Sequence, residues 1–428
     1  MTGGHSPASG RLRQMMQRIP RALGNAKVLA VLAAAAGQLI MFAGMAVVSR
    51  RYGQISLSQY GVMFSLFNIA QLAATLRLEQ GLVYEKTEDG RQALYQAALW
   101  LLLPATIAIC LATFFYVSSN PQTNSQSVVL VTVLAIATAF AGAGRLNVQL
   151  LAAVGRSRAV VISNFARPSA IGLSQLVASL LGSSVVDLML ALAFGQAMYA
   201  GLMWALARTT TRGHAVARSE MRKAVGRNAA FPLYSLPQNL LFTASEALVP
   251  LSIPFLFPGS KSVAFFWLAS RAVFAPATVM AESIRSLVYK DLADQAELQK
   301  RIVIYSLSLA VPIALGMVVL YLFGDYLFRM LFGPEWGPAN DYALVLGAMV
   351  VFNMACLPIV GALPLLNLQR RLFIFEIIGL AARAATIFFV AWSSPLALVA
   401  SATAVYMVVM GLFFAYALAA SGRYVKLV

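Results

Sequence analysis

Acidic residues are scarce in this chain. Its 428 residues hold 15 Asp and Glu against 32 Lys and Arg, and charged residues of both signs make up only 11%. Cysteine and histidine number two each. Cys110 and Cys356 fall inside apolar runs, where they read as small hydrophobes and point to no disulfide framework. His5 and His214 lack partners at ligand spacing, so no metal site is expected, and no other cofactor. A Gly-rich phosphate loop ending in Lys and Ser or Thr is missing, which argues against direct ATP hydrolysis. The loops are too short for a catalytic domain, and their carboxylates (Asp325, Glu335, Asp341; Asp291, Asp294, Glu297) are too scattered for acid and base work. The chain therefore does not read as an enzyme.

What is abundant is apolar. Hydrophobic residues make up 60% and the mean hydropathy is +0.77, which marks a polytopic membrane protein. The net charge of +17 is spread between apolar spans with no groove-tracking run, so nucleic acid is not an expected partner; the lipid bilayer is.

Runs long enough to cross a bilayer lie at about 27–49, 59–76, 93–117, 128–150, 159–181, 187–207, 235–256, 263–287, 302–323, 342–366, 372–392 and 396–419. They predict twelve transmembrane helices in an all-α fold. With the amino terminus inside, 23 Lys and Arg fall in inner segments, four in outer loops and five within spans. That bias places both termini in the cytoplasm. The chain divides into a basic tail 1–26, a six-helix lobe 27–208, a basic linker 209–230, a second six-helix lobe 231–419 and a tail 420–428. The first span is expected to be retained, and residues 11–26 form either an amphipathic surface helix or a basic tail.

The halves echo each other. Leu82-Val83-Tyr84 with Lys86 ends span 2, and Leu287-Val288-Tyr289-Lys290 ends span 8. Arg167 precedes Gly195 by 28 residues, as Arg383 precedes Gly411. An even number of spans per half predicts parallel repeats, two bundles related by a pseudo-twofold axis along the membrane normal.

Three segments resemble the polysaccharide transporter family of the multidrug/oligosaccharidyl-lipid/polysaccharide exporter superfamily, which includes Wzx-like O-antigen flippases. They are Phe231-Pro232 with Tyr234-Ser235-Leu236-Pro237, Leu331-Phe332-Gly333-Pro334-Glu335-Trp336, and Arg77-Leu78-Glu79. The resemblance implies two bundles around a cleft, and translocation of a polyprenyl-diphosphate-linked oligosaccharide across the cytoplasmic (inner) membrane for surface polysaccharide assembly. It also implies polysaccharide polymerase and co-polymerase proteins as partners. A multidrug or cation antiporter of the same superfamily is the alternative.

Ionised groups at bilayer depth are the candidate site. Five arginines against Glu246, Glu282 and Glu376 favour an anionic substrate. Arg167 and Arg383, at matching positions, either contact the diphosphate, for which the guanidinium fork is suited, or bond backbone and polar groups between helices and hold the bundle together. Glu246 lies roughly 15 Å before the turn between spans 7 and 8 and Arg271 roughly 13 Å after it, so the two can meet. They form either a structural ion pair or a site where Glu246 exchanges a proton or sodium ion and releases Arg271 to substrate. Arg145 and Arg285 are expected to snorkel to headgroups, Glu282 to pair with Arg285, and Glu376 to sit at the cleft entrance. Trp336, between the Gly-Pro turns of segment 324–341, is expected as an anchor at the membrane interface, with a substrate lid as the alternative reading of that segment.

Overall fold

The computed structural model describes residues 26–120, 126–210, 216–275, 277, 298–363, 366, 368–389 and 393–424. Every element among them is helical. The first half comprises α1 (Ala26–Arg51), α2 (Gln54–Ala73), α3 (Leu78–Tyr84), α4 (Glu88–Ser119), α5 (Ser127–Ala153), α6 (Ser157–Leu181) and α7 (Val185–Ala207). The linker contributes α8 (Arg218–Arg227). The second half comprises α9 (Leu236–Leu256), α10 (Ser262–Ala275), α11 (Leu298–Phe332), α12 (Ala339–Ala362), α13 (Gln369–Phe389) and α14 (Pro395–Tyr424).

Local chemistry sets several boundaries. Thr87 caps α4 by accepting from the Gly90 amide at 3.1 Å, and Ser184 with Asp187 forms a reciprocal capping box on α7. Prolines stand inside α4, α6, α9, α11 and α12. Such positions are tolerated where neighbouring helices and side chains satisfy the freed carbonyls.

Nine described helices are long and apolar enough to cross a membrane, and a tenth if α2 and α3, bent by 42°, form one span. The two remaining expected spans differ in kind. Helix α6 has 25 residues but carries Arg158, Arg167 and several Ser, which keeps it below the apolarity of the others. The span expected at 263–287 begins as α10, and its continuation lies outside the described residues. Glu282, Arg285 and the second copy of the LVYK echo lie there too, as do residues 11–25. Apolar side chains on outward faces, such as Trp100, Phe115, Leu181 and Phe389, suit contact with lipid.

The helix pairings run alike in the two halves. Helix α1 packs on α6, α4 on α5, and α7 on both α5 and α6; α9 packs on α13, α11 on α12, and α14 on both α12 and α13. The α1–α6 contact brings backbones close together: Gly44 meets Gly172, and a Cβ on Gly172 would stand 2.6 Å from the Met41 Cα. Small residues bring membrane helices close enough for dispersion and Cα–H contacts to hold them.

The halves share one core at one end and separate cores at the other. Met45, Tyr60 and Phe67 of the first half cluster with Ile253, Trp267, Phe332 and Trp336 of the second. Toward the linker, Leu82, Leu94 and Leu150 pack within the first half, and Ile302, Ile359 and Phe413 within the second. The buried cores are therefore joined across the halves at one end and separate toward the linker.

A clasp closes the fused end. Ser49 Oγ donates to the Phe332 carbonyl at 3.1 Å, Trp336 Nε1 to the Ser49 carbonyl at 3.0 Å, and Gln54 Nε2 to the Glu335 carbonyl at 3.0 Å. Arg50 donates to the carbonyls of Met330 and Leu331. This corrects the reading of Trp336 as an interface anchor. The indole is fully buried, edge-on to Phe265 at 5.8 Å, between the two halves. The loop is also shorter than expected, since α11 runs through Arg329, ion-paired to Asp325 at 2.7 Å, to Phe332 before Gly333 (φ 121°) reverses the chain.

Two outcomes follow. Trp336→Ala removes a buried indole from the shared core, which costs on the order of 3 to 5 kcal/mol; scanning fluorimetry in detergent should show a lower melting temperature, with Trp336→Phe falling between. Gly172→Val should push α1 from α6 and lower the melting temperature, with an overpacking cost of about 1 to 3 kcal/mol.

Candidate functional site

Two polar clusters lie inside the helical walls, one in each half, and they balance charge differently.

The first forms where α2 stops. Leu76 and Arg77, at φ 50° and 60°, are consecutive left-handed residues with side chains, and the chain closes short turns from Leu76 N to Ala73 O and from Leu78 N to Thr75 O. Such backbone costs roughly 1 to 2 kcal/mol per residue and persists only where surroundings over-determine it. Here Thr75 Oγ1 donates to Glu79 Oε2 at 2.6 Å, and Arg77 pairs with the other Glu79 oxygen at 3.5 Å.

One turn earlier, Gln71 receives two cations. Arg145 from α5 donates to its carbonyl at 3.4 Å, and Arg167 from α6 donates through Nη2 to its amide oxygen. The Gln71 amide nitrogen donates to Asn68 at 3.1 Å. The Arg167 guanidinium lies 5.8 Å from the centre of the Tyr199 ring, whose hydroxyl meets Ser163 at 2.9 Å. Arg167 Nε and Arg77 Nε are both buried with no hydrogen-bond partner among the described residues. Arg271, from α10, stacks over the Phe64 ring of α2 at 3.9 Å, a cation–π contact. Arg145 and Arg271 both lie within electrostatic reach of Arg167.

The arithmetic of this cluster is lopsided. Arg145 lies within reach of Arg77, Arg167 and Glu79, and Arg271 within reach of Arg167, so that among the described residues Glu79 is the one carboxylate these contacts include. Like charges withdrawn from water repel more strongly as the local dielectric falls, so an anion among them is favoured.

The second cluster centres on Arg383 of α13, which is 2% exposed. Its guanidinium donates to the Ala402 carbonyl at 3.1 Å and to the Ser245 carbonyl and hydroxyl at 2.7 and 3.0 Å, and it approaches Met349 Sδ at 3.8 Å. The Tyr406 ring lies beneath it at 4.6 Å. Arg383 thus ties α9, α12 and α14 to α13. Glu246 and Glu376 lie within its electrostatic reach and within reach of each other. Glu376 is 7% exposed, and its Oε2 has no protein partner. Two carboxylates near one cation, with a carboxylate oxygen left unbonded, suit a bound proton or small cation.

The expectations fare unevenly against this geometry. Arg167 and Arg271 fall in one cluster. Arg383 falls in the other, with protein acceptors on its donors. Glu246 and Arg271 form no ion pair: the cation beside Glu246 is Arg383, and Arg271 is taken up by the first half. The physical reason is the tight approach of α10 to α2, where Gly61 lets Trp267 and Val263 in close, so Arg271 faces Phe64 and turns from α9. Arg145 does not snorkel to headgroups; it reaches inward to the free carbonyl at the end of α2. Glu376 is buried in the wall and is no entrance residue. Gln71, Glu79 and Tyr199 were not singled out from sequence for the site, although the Arg77-Leu78-Glu79 motif marks the break itself.

Arg383→Ala should strip three helices of a shared donor and leave buried acceptors bare, destabilising by about 3 kcal/mol or more. Thermal unfolding in detergent should show a large drop for Arg383→Ala and a small one for Arg271→Ala, which loses only the ring contact.

No family model matches this chain, and no curated protein matches it in sequence. Its fold is similar to that of the lipid II flippase MurJ in an inward closed conformation, with TM-score 0.74 at 12% identity over 91% of this chain and 87% of that one. It is similar to an inward-facing multidrug resistance MATE family transporter of the MOP superfamily, with TM-score 0.73 at 14% identity over 93% and 99% of the two chains. An outward-facing MATE family structure covers 94% of this chain and 97% of its own at TM-score 0.56 and 13% identity. The likeness is one of fold: a multi-pass, all-helical transporter fold of the kind shared by lipid II flippase and MATE transporters.

Proposed function

We propose that this chain moves a polyprenyl-diphosphate-linked oligosaccharide across the cytoplasmic membrane for surface polysaccharide assembly. In this reading it has twelve spans in two six-helix bundles related by a pseudo-twofold axis along the membrane normal, works by alternating access, and keeps both termini in the cytoplasm. The observation that carries the reading is the excess of cations in the first-half cluster, where among the described residues Arg77, Arg145, Arg167 and Arg271 are linked in sequence by electrostatic contact and Glu79 is the one carboxylate within that chain. A diphosphate is the strongly anionic feature that such lipid-linked sugars share, and Arg offers it a planar fork of donors.

Arg167 and Arg271 are the proposed diphosphate ligands. Arg383 holds the second half together, and Glu246 with Glu376 takes the coupling ion, a proton or sodium. The separate cores toward the linker and the better superposition on inward structures support a state that accepts substrate from the cytoplasmic side. Polymerase and co-polymerase proteins are the proposed partners after translocation.

One observation favours a second reading. The carboxylates Glu246 and Glu376 would also suit a cationic drug exchanged for an ion, as in a multidrug or cation antiporter.

Deletion of the gene should abolish surface polysaccharide with drug tolerance unchanged, and Arg167→Ala and Arg271→Ala should each fail to restore it, export falling at least about tenfold at normal protein levels. Full restoration by both variants removes Arg167 and Arg271 from the site, and lost drug tolerance with intact polysaccharide selects the antiporter. In proteoliposomes, Glu246→Gln should remove the ion dependence of transport while the protein still folds.

A further inference from the structure

Arg167 offers an anion one edge of its guanidinium, and that edge is half in use. Nε and Nη2 together make the side-on fork that grips two oxygens of a phosphate. Nη2 is held by the Gln71 amide oxygen, while Nε is buried with no hydrogen-bond partner among the described residues. A bidentate anion on this fork therefore competes with Gln71 for Nη2.

Gln71 is also the last-turn residue of α2 before the break. Its carbonyl is capped by Arg145 and its amide nitrogen is committed to Asn68, so the whole residue is pinned by two cations and a neighbour. The left-handed pair Leu76 and Arg77 follows within six residues, and α3 leaves at 42°. On the far side, α3 carries the contacts that tie the first half to the linker and to the start of the second. Gln80 Oε1 accepts from Ser235 Oγ at 3.0 Å, and Tyr84 meets the Phe231 ring at 5.8 Å. Glu85, just past its end, receives Arg227 at 3.2 Å and Asn228 at 2.8 Å.

We propose that Gln71 is a positioning residue that couples occupancy of Arg167 to the bend between α2 and α3. In the unoccupied state Gln71 holds Arg167, the last turn of α2 is fixed, and the tip of α3 is docked on the linker. An anion that takes the Nε–Nη2 edge expels the Gln71 amide, frees the turn that precedes the strained residues, and lets the bend relax. Substrate at the first-half cluster is thereby read out at the joint between the halves. The coupling rests on the reading of Arg167 as the ligand of an anionic group; the role of Gln71 as a holder of the bend does not.

The test uses spin labels at Val83→Cys, on the exposed face of α3, and Val154→Cys, past the end of α5, in the full chain with Cys110→Ala and Cys356→Ala. Helix α3 spans seven residues, so straightening through 42° swings its tip by up to about 7 Å. Farnesyl diphosphate should shift the labelled distance by several ångströms. Arg167→Ala should shift it with no ligand present. Gln71→Leu should do the same and bind farnesyl diphosphate several-fold tighter, because the competitor for Arg167 is gone; a merely structural residue would give weaker binding. Gln71→Glu, which ion-pairs with Arg167, should keep the wild-type distance and weaken binding, and it serves where Gln71→Leu fails to fold. If Arg167→Ala and Gln71→Leu both keep the wild-type distance, or Gln71→Leu binds no tighter, the proposal is overturned. If wild-type protein ignores farnesyl diphosphate while Arg167→Ala shifts the distance, the diphosphate reading fails and the hold of Gln71 on the bend stands.

Discussion

Holding a guanidinium in an apolar wall is costly without acceptors, and Arg383 and Arg167, one in each half, meet that constraint in opposite ways. Arg383 is surrounded by acceptors supplied by its neighbours, two of them backbone carbonyls, and becomes a structural pin. Among the described residues Arg167 has one acceptor, the Gln71 side chain, and its Nε has none. The same residue at matching positions is thus scaffold in one half and available in the other.

The fold was largely legible in the sequence, because apolar run length is a one-dimensional signal and bilayer thickness turns it into helices. Runs at 93–117, 187–207 and 396–419 fall within α4, α7 and α14. The FPLYSLP segment, noted for its resemblance, forms the π-helical turn Phe231–Ser235 leading into α9, where Ser235 reaches Gln80. The break within span 2 was only hinted at by the change from apolar residues to Arg77 and Glu79, since two left-handed residues with side chains carry no compositional mark of the kind glycine provides.

The site was less legible. Depth along a helix can be counted at 1.5 Å per residue, but which neighbour a side chain faces depends on rotation and on close approaches set by single glycines. Depth placed Glu246 and Arg271 level with each other, and rotation sent them to different halves. Arg145 was near enough to a helix end to snorkel, yet the carbonyl freed at the end of α2 supplied a nearer acceptor. Trp336 carried the residue type of an interface anchor and the position of a loop, but its indole donates to Ser49, far away in sequence and on the opposite half.

That clasp has a consequence for heredity. Its acceptors on both sides are main-chain carbonyls, of Ser49, Met330, Leu331, Phe332 and Glu335. A carbonyl is the same whatever side chain its residue bears, so the accepting positions can drift while the contact survives. Pairs of positions that change together in related chains would pass over this joint, and the closure of one end of the molecule would leave little trace in covariation.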